Sequence, residues 1–169
     1  NNSCGLHSLV YGSVRDHILE VEAILANGSE TTFKALSKTE FQQKLNGNPN
    51  KLEKAIYQNL NEILSDPENQ KEIKGNFPEP KLTRRNMGYA IDALLNSEIF
   101  SKGKERFNFC KLLAGSEGTL AFSHRIKLNL IPLPPRHKGL LCAHFKTLEE
   151  ATRGNMLALK KEKTAKESM

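Results

Sequence analysis

The chain lacks the marks of several familiar sites. Its three cysteines, Cys4, Cys110 and Cys142, form no Cys-x-x-Cys pair, so neither zinc-ligand spacing nor a disulfide frame is present. Cysteine use of this kind points to a reducing cytoplasm. His7, His17, His124, His137 and His144 are dispersed, with no His-x-x-x-His metal spacing. No apolar run approaches the roughly 20 residues of a membrane span. Gly-x-Gly-x-x-Gly and Gly-x-x-x-x-Gly-Lys-Ser/Thr are both missing, which disfavours NAD on a Rossmann fold and P-loop nucleotide hydrolysis. No nucleophile stands with an evident base. The residues therefore run no chemistry unaided, and hard redox chemistry is usually carried by a cofactor. Asn1 brings no initiator Met, charged n-region or apolar h-region, so no targeting signal can be read. The chain reads as a piece cut from a longer protein.

What is present suits one domain, or a domain plus the edge of another, in 169 residues with 38% apolar content. Net charge is +6. Part of it sits in Lys160-Lys161-Glu162-Lys163 and Lys166, where a solvated helix end and a nucleic-acid footprint are both readings. Lys and Arg are dispersed among Glu without interleaved aromatics, which makes a poor nucleic-acid surface.

The pattern predicts a loop over 1–12 and a β-compatible run from Ile18 to Ala26. Asn27-Gly28 then predicts a hairpin into Thr31-Thr32-Phe33. Ser37-Lys38-Thr39-Glu40 has capping-box spacing and should open a helix. Leu52, Ile56, Leu60, Ile63 and Leu64 put an apolar stripe on a helix from about Asn50 to Leu64, stopped by Asp66-Pro67. Pro78 and Pro80 enforce an extended link, and Ala90, Ile91, Leu94 and Leu95 suggest a short helix. Phe107 to Ala114 reads as helix ending at Gly115, and no strand is expected between 37 and 114. Leu120 to Leu130 alternates as a long strand with one buried face, His124 lying on its apolar side. After Pro132, Pro134 and Pro135, Leu140 to Phe145 reads as a strand. Thr147-Leu148-Glu149-Glu150 caps a helix to about Lys163. Strands and helices are segregated, which favours α+β.

Two glycine-bearing segments stand out. In Gly115-Ser116-Glu117-Gly118-Thr119-Leu120, two glycines around a carboxylate let main-chain amides approach something bulky. Asn1-Asn2-Ser3-Cys4-Gly5, followed by Tyr11-Gly12, can present N–H groups to a pyrophosphate as a backbone nest. Each has a plain alternative: a helix C-cap leading to a strand, and a polar chain end. Glu117 could brace its loop or meet a ribose hydroxyl. Arg84-Arg85 could bind an anion or be a solvated pair. His7 and His17 lie near the first segment and read more readily as structural than as ligands.

At these residues the chain resembles a known family. Asn1-Asn2-Ser3-Cys4-Gly5, Tyr11-Gly12-Ser13-Val14-Arg15-Asp16, Leu25-Ala26-Asn27-Gly28 and Gly115-Ser116-Glu117-Gly118-Thr119-Leu120 match in order. The family is the FAD-linked oxidases with the vanillyl-alcohol-oxidase-type (PCMH-type) FAD-binding fold. The branch is the large FAD/FMN-containing dehydrogenases related to D-lactate and D-2-hydroxyglutarate dehydrogenases. That branch carries an insert before its Gly-Ser-Glu-Gly-Thr-Leu segment, which Asn50 to Phe109 resembles, including Arg84-Arg85-Asn86-Met87-Gly88-Tyr89.

The resemblance implies an α+β second FAD subdomain over 1–135, with a helical insert over about 37–109. Residues 136–169 would open the substrate (cap) domain. It implies a flavoprotein oxidoreductase that binds FAD and passes a hydride from a 2-hydroxy acid to flavin N5. Asn1, Asn2, Ser3 and Cys4 would contact FAD near the pyrophosphate and flavin end. Gly5 would allow that approach, and Tyr11 and Gly12 would shape the loop's exit. Glu117, Gly118, Thr119, Leu120, Ala121, Phe122 and Ser123 would border the adenine side. No catalytic residue and no metal ligand falls in this chain. Its partners would be the upstream FAD subdomain, the downstream cap domain and the substrate, without nucleic acid. Cutting it from those neighbours would invite self-association. Relatives often have Gly, Val or Ile where Ala121 and Phe122 stand, Ser or Ala where Cys4 stands, and a C-terminal iron–sulfur module that is not seen here. The competing reading is a basic α+β module for nucleic acid or an acidic protein partner, without catalysis.

Overall fold

The fold was analysed in a computed structural model. It describes residues 2, 3, 5, 7–47, 49–79, 82, 88–103, 105–133, 136, 137, 139 and 141–159. Asn1, Cys4, Pro80, Arg84, Arg85, Pro134, Pro135, Leu140 and 160–169, on which some expectations rested, lie outside that set.

Two short helices, α1 (Ser8–Tyr11) and α2 (Val14–His17), lead into a hairpin of β1 (Ile18–Ile24) and β2 (Glu30–Leu36). The Asn27-Gly28 turn closes it, with Gly28 N donating to Leu25 O at 2.8 Å. Strand alternation explains the pairing: Val21 faces Phe33 and Ala23 faces Thr31, all buried, while Glu20 faces Lys34 and Glu22 faces Thr32 on the other side. Helix α3 (Lys38–Asn46) begins at the Ser37–Glu40 capping box. Hydrogen bonds from the Ser37 backbone and hydroxyl hold the exposed Glu40 carboxyl below its ordinary pKa. Helix α4 (Lys51–Ser65) is capped by Asn50, and α5 (Pro67–Asn76) by Asp66, as the capping residues predict. Helix α6 (Ile91–Leu95), strand β3 (Phe107–Asn108), α7 (Cys110–Leu113), β4 (Phe122–Leu128) and α8 (Leu148–Leu159) complete the order. The sheet is antiparallel throughout, ordered β3-β2-β1-β4. Segregated helices and an antiparallel sheet make this an α+β arrangement.

Six aromatic rings fill the space between helices and sheet. Phe41 meets Tyr57, Phe100 and Phe107 edge-on, at centroid distances of 5.8, 5.7 and 4.8 Å. Phe33 lies 4.5 Å from Phe109. The stripe of α4 is rotated from its expected position. Tyr57, Leu60 and Leu64 are buried, and Ile63 is exposed, because the large phenol ring takes the central core position.

Four expectations need correction. Residues 1–12 are not all loop, since Gly5 O accepts from both Ser8 N and Ser8 Oγ and starts α1. Phe107 to Ala114 is not one helix, and the 37–114 stretch does hold a strand. Phe107 and Asn108 pair with Leu36 and Ala35, and Asn108 Oδ1 then accepts from Cys110 N at 3.0 Å to turn the chain into α7. No strand forms over the described residues 141–145. Strand β4 forms, but every residue of it is exposed.

The reason for the last is topological. As the edge strand, β4 lies beyond the helices packed on β1 and β2. A bulge adds a second effect. Glu22 pairs with Arg125 but Ala23 with Ser123, leaving His124 as the extra residue. Ile126 therefore shares a face with Val21, while Phe122 sits with Ile24 on the opposite face. The alternation seen in sequence is split across two faces.

Among the described residues, Tyr57 Oη is buried without a hydrogen-bond partner. Removing an orphaned hydroxyl restores no lost bond and relieves its desolvation. Tyr57→Phe should therefore leave stability unchanged or raise it by up to about 1 kcal/mol. Phe41→Ala, which opens a cavity at the centre of the cluster, should cost about 3–5 kcal/mol. Urea midpoints of the two variants check this.

Candidate functional site

The site is built around Arg15. Ser13 opens α2, and the Asp16 carboxylate accepts from Ser13 N at 2.8 Å and from Ser13 Oγ at 3.1 Å. Gly12 has φ +78°, and a Cβ there would come within 2.6 Å of Asp16 Oδ2, so this corner requires glycine. The short helix turns the Arg15 side chain inward, where it is buried. Its Nε donates to Lys111 O at 2.9 Å, and Nη2 donates to Ala114 O at 2.8 Å and Gly88 O at 3.2 Å. A single guanidinium thus caps the C-terminal carbonyls of α7 and holds the Gly88 carbonyl.

Asn2 joins the same centre. It is buried, and its Oδ1 accepts from Arg15 N at 2.8 Å. Its Nδ2 is a buried donor with no hydrogen-bond partner among the described residues. Gly115 (φ +96°) packs against both: a Cβ there would stand 3.0 Å from Arg15 Nη2 and 3.6 Å from Asn2 Cβ. The two glycine-bearing segments, about a hundred residues apart, are therefore neighbours through Arg15.

Beyond Gly115 the chain makes an exposed turn. Ser116 is buried, Glu117 has φ +52° and Gly118 φ +82°. Thr119 N and Thr119 Oγ1 both donate to Ser116 O, at 3.0 and 2.5 Å. Tyr89 Oη lies 2.7 Å from Thr119 Oγ1. Leu120 is exposed, Ala121 packs against the core, and Phe122 and Ser123 begin β4.

A cavity of about 320 Å³ opens on the other side of the first segment. Ser3, Gly5, Tyr11 and Gly12 line it together with Leu128 and Ile131. Its wall is pinned by His17, whose Nε2 lies 2.6 Å from Tyr11 O and whose Nδ1 lies 3.4 Å from Asn129 Nδ2. Nε2 must carry the proton, because a carbonyl can only accept. His17 is thus the structural histidine expected near this loop.

Of the expected contact residues, Ser3, Gly5, Tyr11 and Gly12 line the cavity, whereas Asn2 sits at the Arg15 centre and does not line it. Asn1 and Cys4 lie outside the described residues. Glu117 to Ser123 follow Gly115 but do not line the cavity. Arg15, His17 and Asn129 were not singled out as site residues. Ser13 and Asp16 at capping spacing is the signal that could have placed α2, and so Arg15; nothing in the sequence pairs Asn129 with His17. Among the described residues no group of three or more His, Cys, Asp or Glu could hold a metal ion, and no helix is long and apolar enough to cross a membrane.

Comparison with known proteins finds relatives that share one name. The chain is 33% identical to D-2-hydroxyglutarate dehydrogenase of Pantoea ananatis over 133 residues, 79% of this chain and 12% of that protein. It is 30% identical to the Escherichia coli K12 enzyme of the same name over 154 residues, and 28% to the Haemophilus influenzae one over 161. The chain is related to one segment of the D-2-hydroxyglutarate dehydrogenases. That name is one of those carried by the branch its motifs resemble. The chain spans 12–14% of the length of these curated relatives. No family model matches it, and no solved structure matches it.

The strongly displaced pKa values belong to the core and not to this site. Burial raises the Tyr57 phenol well above its ordinary range and pushes the Cys110 thiol up to about 12. Cys110 Sγ donates to Phe33 O at 3.2 Å, which suits a neutral, inert thiol. Between the ordinary value of 9.0 and about 12 the unfolded thiol ionises while the folded one stays neutral, so its contribution to stability falls as pH rises through that window.

Two outcomes follow. Arg15→Met strands several buried carbonyls and should cost about 3 kcal/mol or more, while Arg15→Lys recovers only part because an ammonium lacks the fork. Guanidinium denaturation measures both. Iodoacetamide should modify the exposed Cys142 in the folded chain and reach Cys110 only on unfolding, read by peptide mass mapping.

Proposed function

We propose that this chain is the second FAD-binding subdomain of a flavin-dependent dehydrogenase acting on a 2-hydroxy acid of the D-lactate or D-2-hydroxyglutarate type. Residues 1–135 form the subdomain, with the insert over about 37–109. Residues 136–169 open the substrate domain. The observation that carries the reading is the meeting of Asn2 and Gly115 on Arg15, which brings two of the family's motifs to one place. The curated relatives, each named a D-2-hydroxyglutarate dehydrogenase, support it.

The residues fit such a cofactor. Asn2 Nδ2 is a buried donor still lacking an acceptor, as a phosphate or flavin oxygen would supply. Ser3 adds a hydroxyl at the cavity, and Gly5 has open space where a Cβ would be. Tyr11 and Gly12 set the cavity wall. Glu117 and Gly118, both at positive φ, turn the main chain outward, and Thr119 to Ser123 carry that edge into β4. Bound FAD would supply the hydride acceptor. The chain's own residues hold and orient that cofactor, and none of them moves a proton or hydride. Substrate binding would fall to other parts of the whole protein.

Half of the cofactor's contacts would lie elsewhere, so the isolated chain should bind FAD weakly or not at all. Calorimetric titration of FAD into this chain tests the idea. An affinity weaker than micromolar is expected, and sub-micromolar binding would overturn the half-site reading. Salt-sensitive retention on heparin or DNA would instead favour a basic binding module.

A further inference from the structure

We infer that Tyr89 is a positioning residue for the Glu117–Thr119 turn, acting through the Thr119 hydroxyl; the inference rests on the cofactor-binding reading of that turn. The direction of the hydrogen bonds carries it. Thr119 Oγ1 has one proton and gives it to Ser116 O at 2.5 Å. Its contact with Tyr89 Oη at 2.7 Å must therefore be one in which the phenol donates. The result is a directed chain, Tyr89 hydroxyl to Thr119 hydroxyl to Ser116 carbonyl. It closes across the two residues, Glu117 and Gly118, whose backbone is left-handed.

The neighbours of Tyr89 on both sides are held. Gly88 O accepts from Arg15 Nη2, and Ala90 is buried at the start of α6. Tyr89 therefore leaves a fixed backbone and reaches the turn with its ring about half exposed. An exposed hydroxyl pair contributes little to global stability. It can still select one conformation of a turn whose Glu117 pays a local cost for positive φ. Tyr89, 30 residues before Thr119, thereby sets how the Glu117 and Gly118 amides are presented.

Hydrogen exchange of this chain tests the clamp without any flavin. Tyr89→Phe and Thr119→Val should each speed exchange of the Thr119 amide about fivefold or more, with an unchanged melting temperature. Thr119→Ser, which keeps the hydroxyl, should behave as the parent chain. Exchange within twofold of the parent in Tyr89→Phe overturns the clamp, and so does a uniform acceleration across the core. In the flavoprotein proposed above, Tyr89→Phe should weaken FAD binding about fivefold at constant melting temperature. Unchanged affinity overturns the positioning role. A parent protein that binds no FAD overturns the functional reading instead, leaving the clamp to be judged on the amide exchange.

Discussion

A buried guanidinium organises this molecule. Arg15 has planar donors and takes carbonyls from Lys111, Ala114 and Gly88, while its own amide is held by Asn2. Those groups come from three separated parts of the chain. Burying an Arg is costly unless its donors are met, and that cost makes the arrangement specific. The carbonyls at the end of α7 need donors as much as the guanidinium needs acceptors. Each requirement is satisfied by the other. Gly115 follows because any larger residue would push into that contact.

The consequence for function lies in what the centre leaves open. It fixes Asn2 and Gly115 side by side, then releases the chain in two directions. One direction passes Ser3 and Gly5 to the cavity that ends at Ile131. The other passes Glu117 and Gly118 to the exposed turn before β4. Between them lies Asn2, whose buried Nδ2 has no hydrogen-bond partner among the described residues. The meeting of the two segments on Arg15 is what supports the proposed single site.

Much of this was legible in the residues. The hairpin at Asn27-Gly28, the caps at Ser37, Asn50 and Asp66, and the helix opened by Thr147 follow from local chemistry, which acts within a few residues. The four ordered motifs also led to the branch that the relatives occupy. What failed depended on distant partners. Phe107 and Asn108 are a strand because β2 offers them an edge, which no local window contains. Ile63 faces out because Tyr57 fills the core in its place. Arg15 stood in one of the ordered motifs without a role of its own, and only the fold reveals the carbonyls around it.

Strand β4 shows the same limit and also explains the site. Its apolar alternation suggested a covered face, yet Ile126 and Leu128 are about half exposed. The bulge at His124 turns Phe122 away from them, and Arg125 pairs with Glu22 at 3.0 Å on the outer face. A charged, bulged edge resists adventitious strand pairing. The helices stop at β1, so the space beside Leu128 stays open. Had a helix crossed β4, its side chains would have occupied the volume that Ser3, Tyr11 and Ile131 now enclose. The poorly covered strand is therefore the condition for the cavity, and the strand's missing burial belongs to the same architecture that places the Asn2 segment at its end.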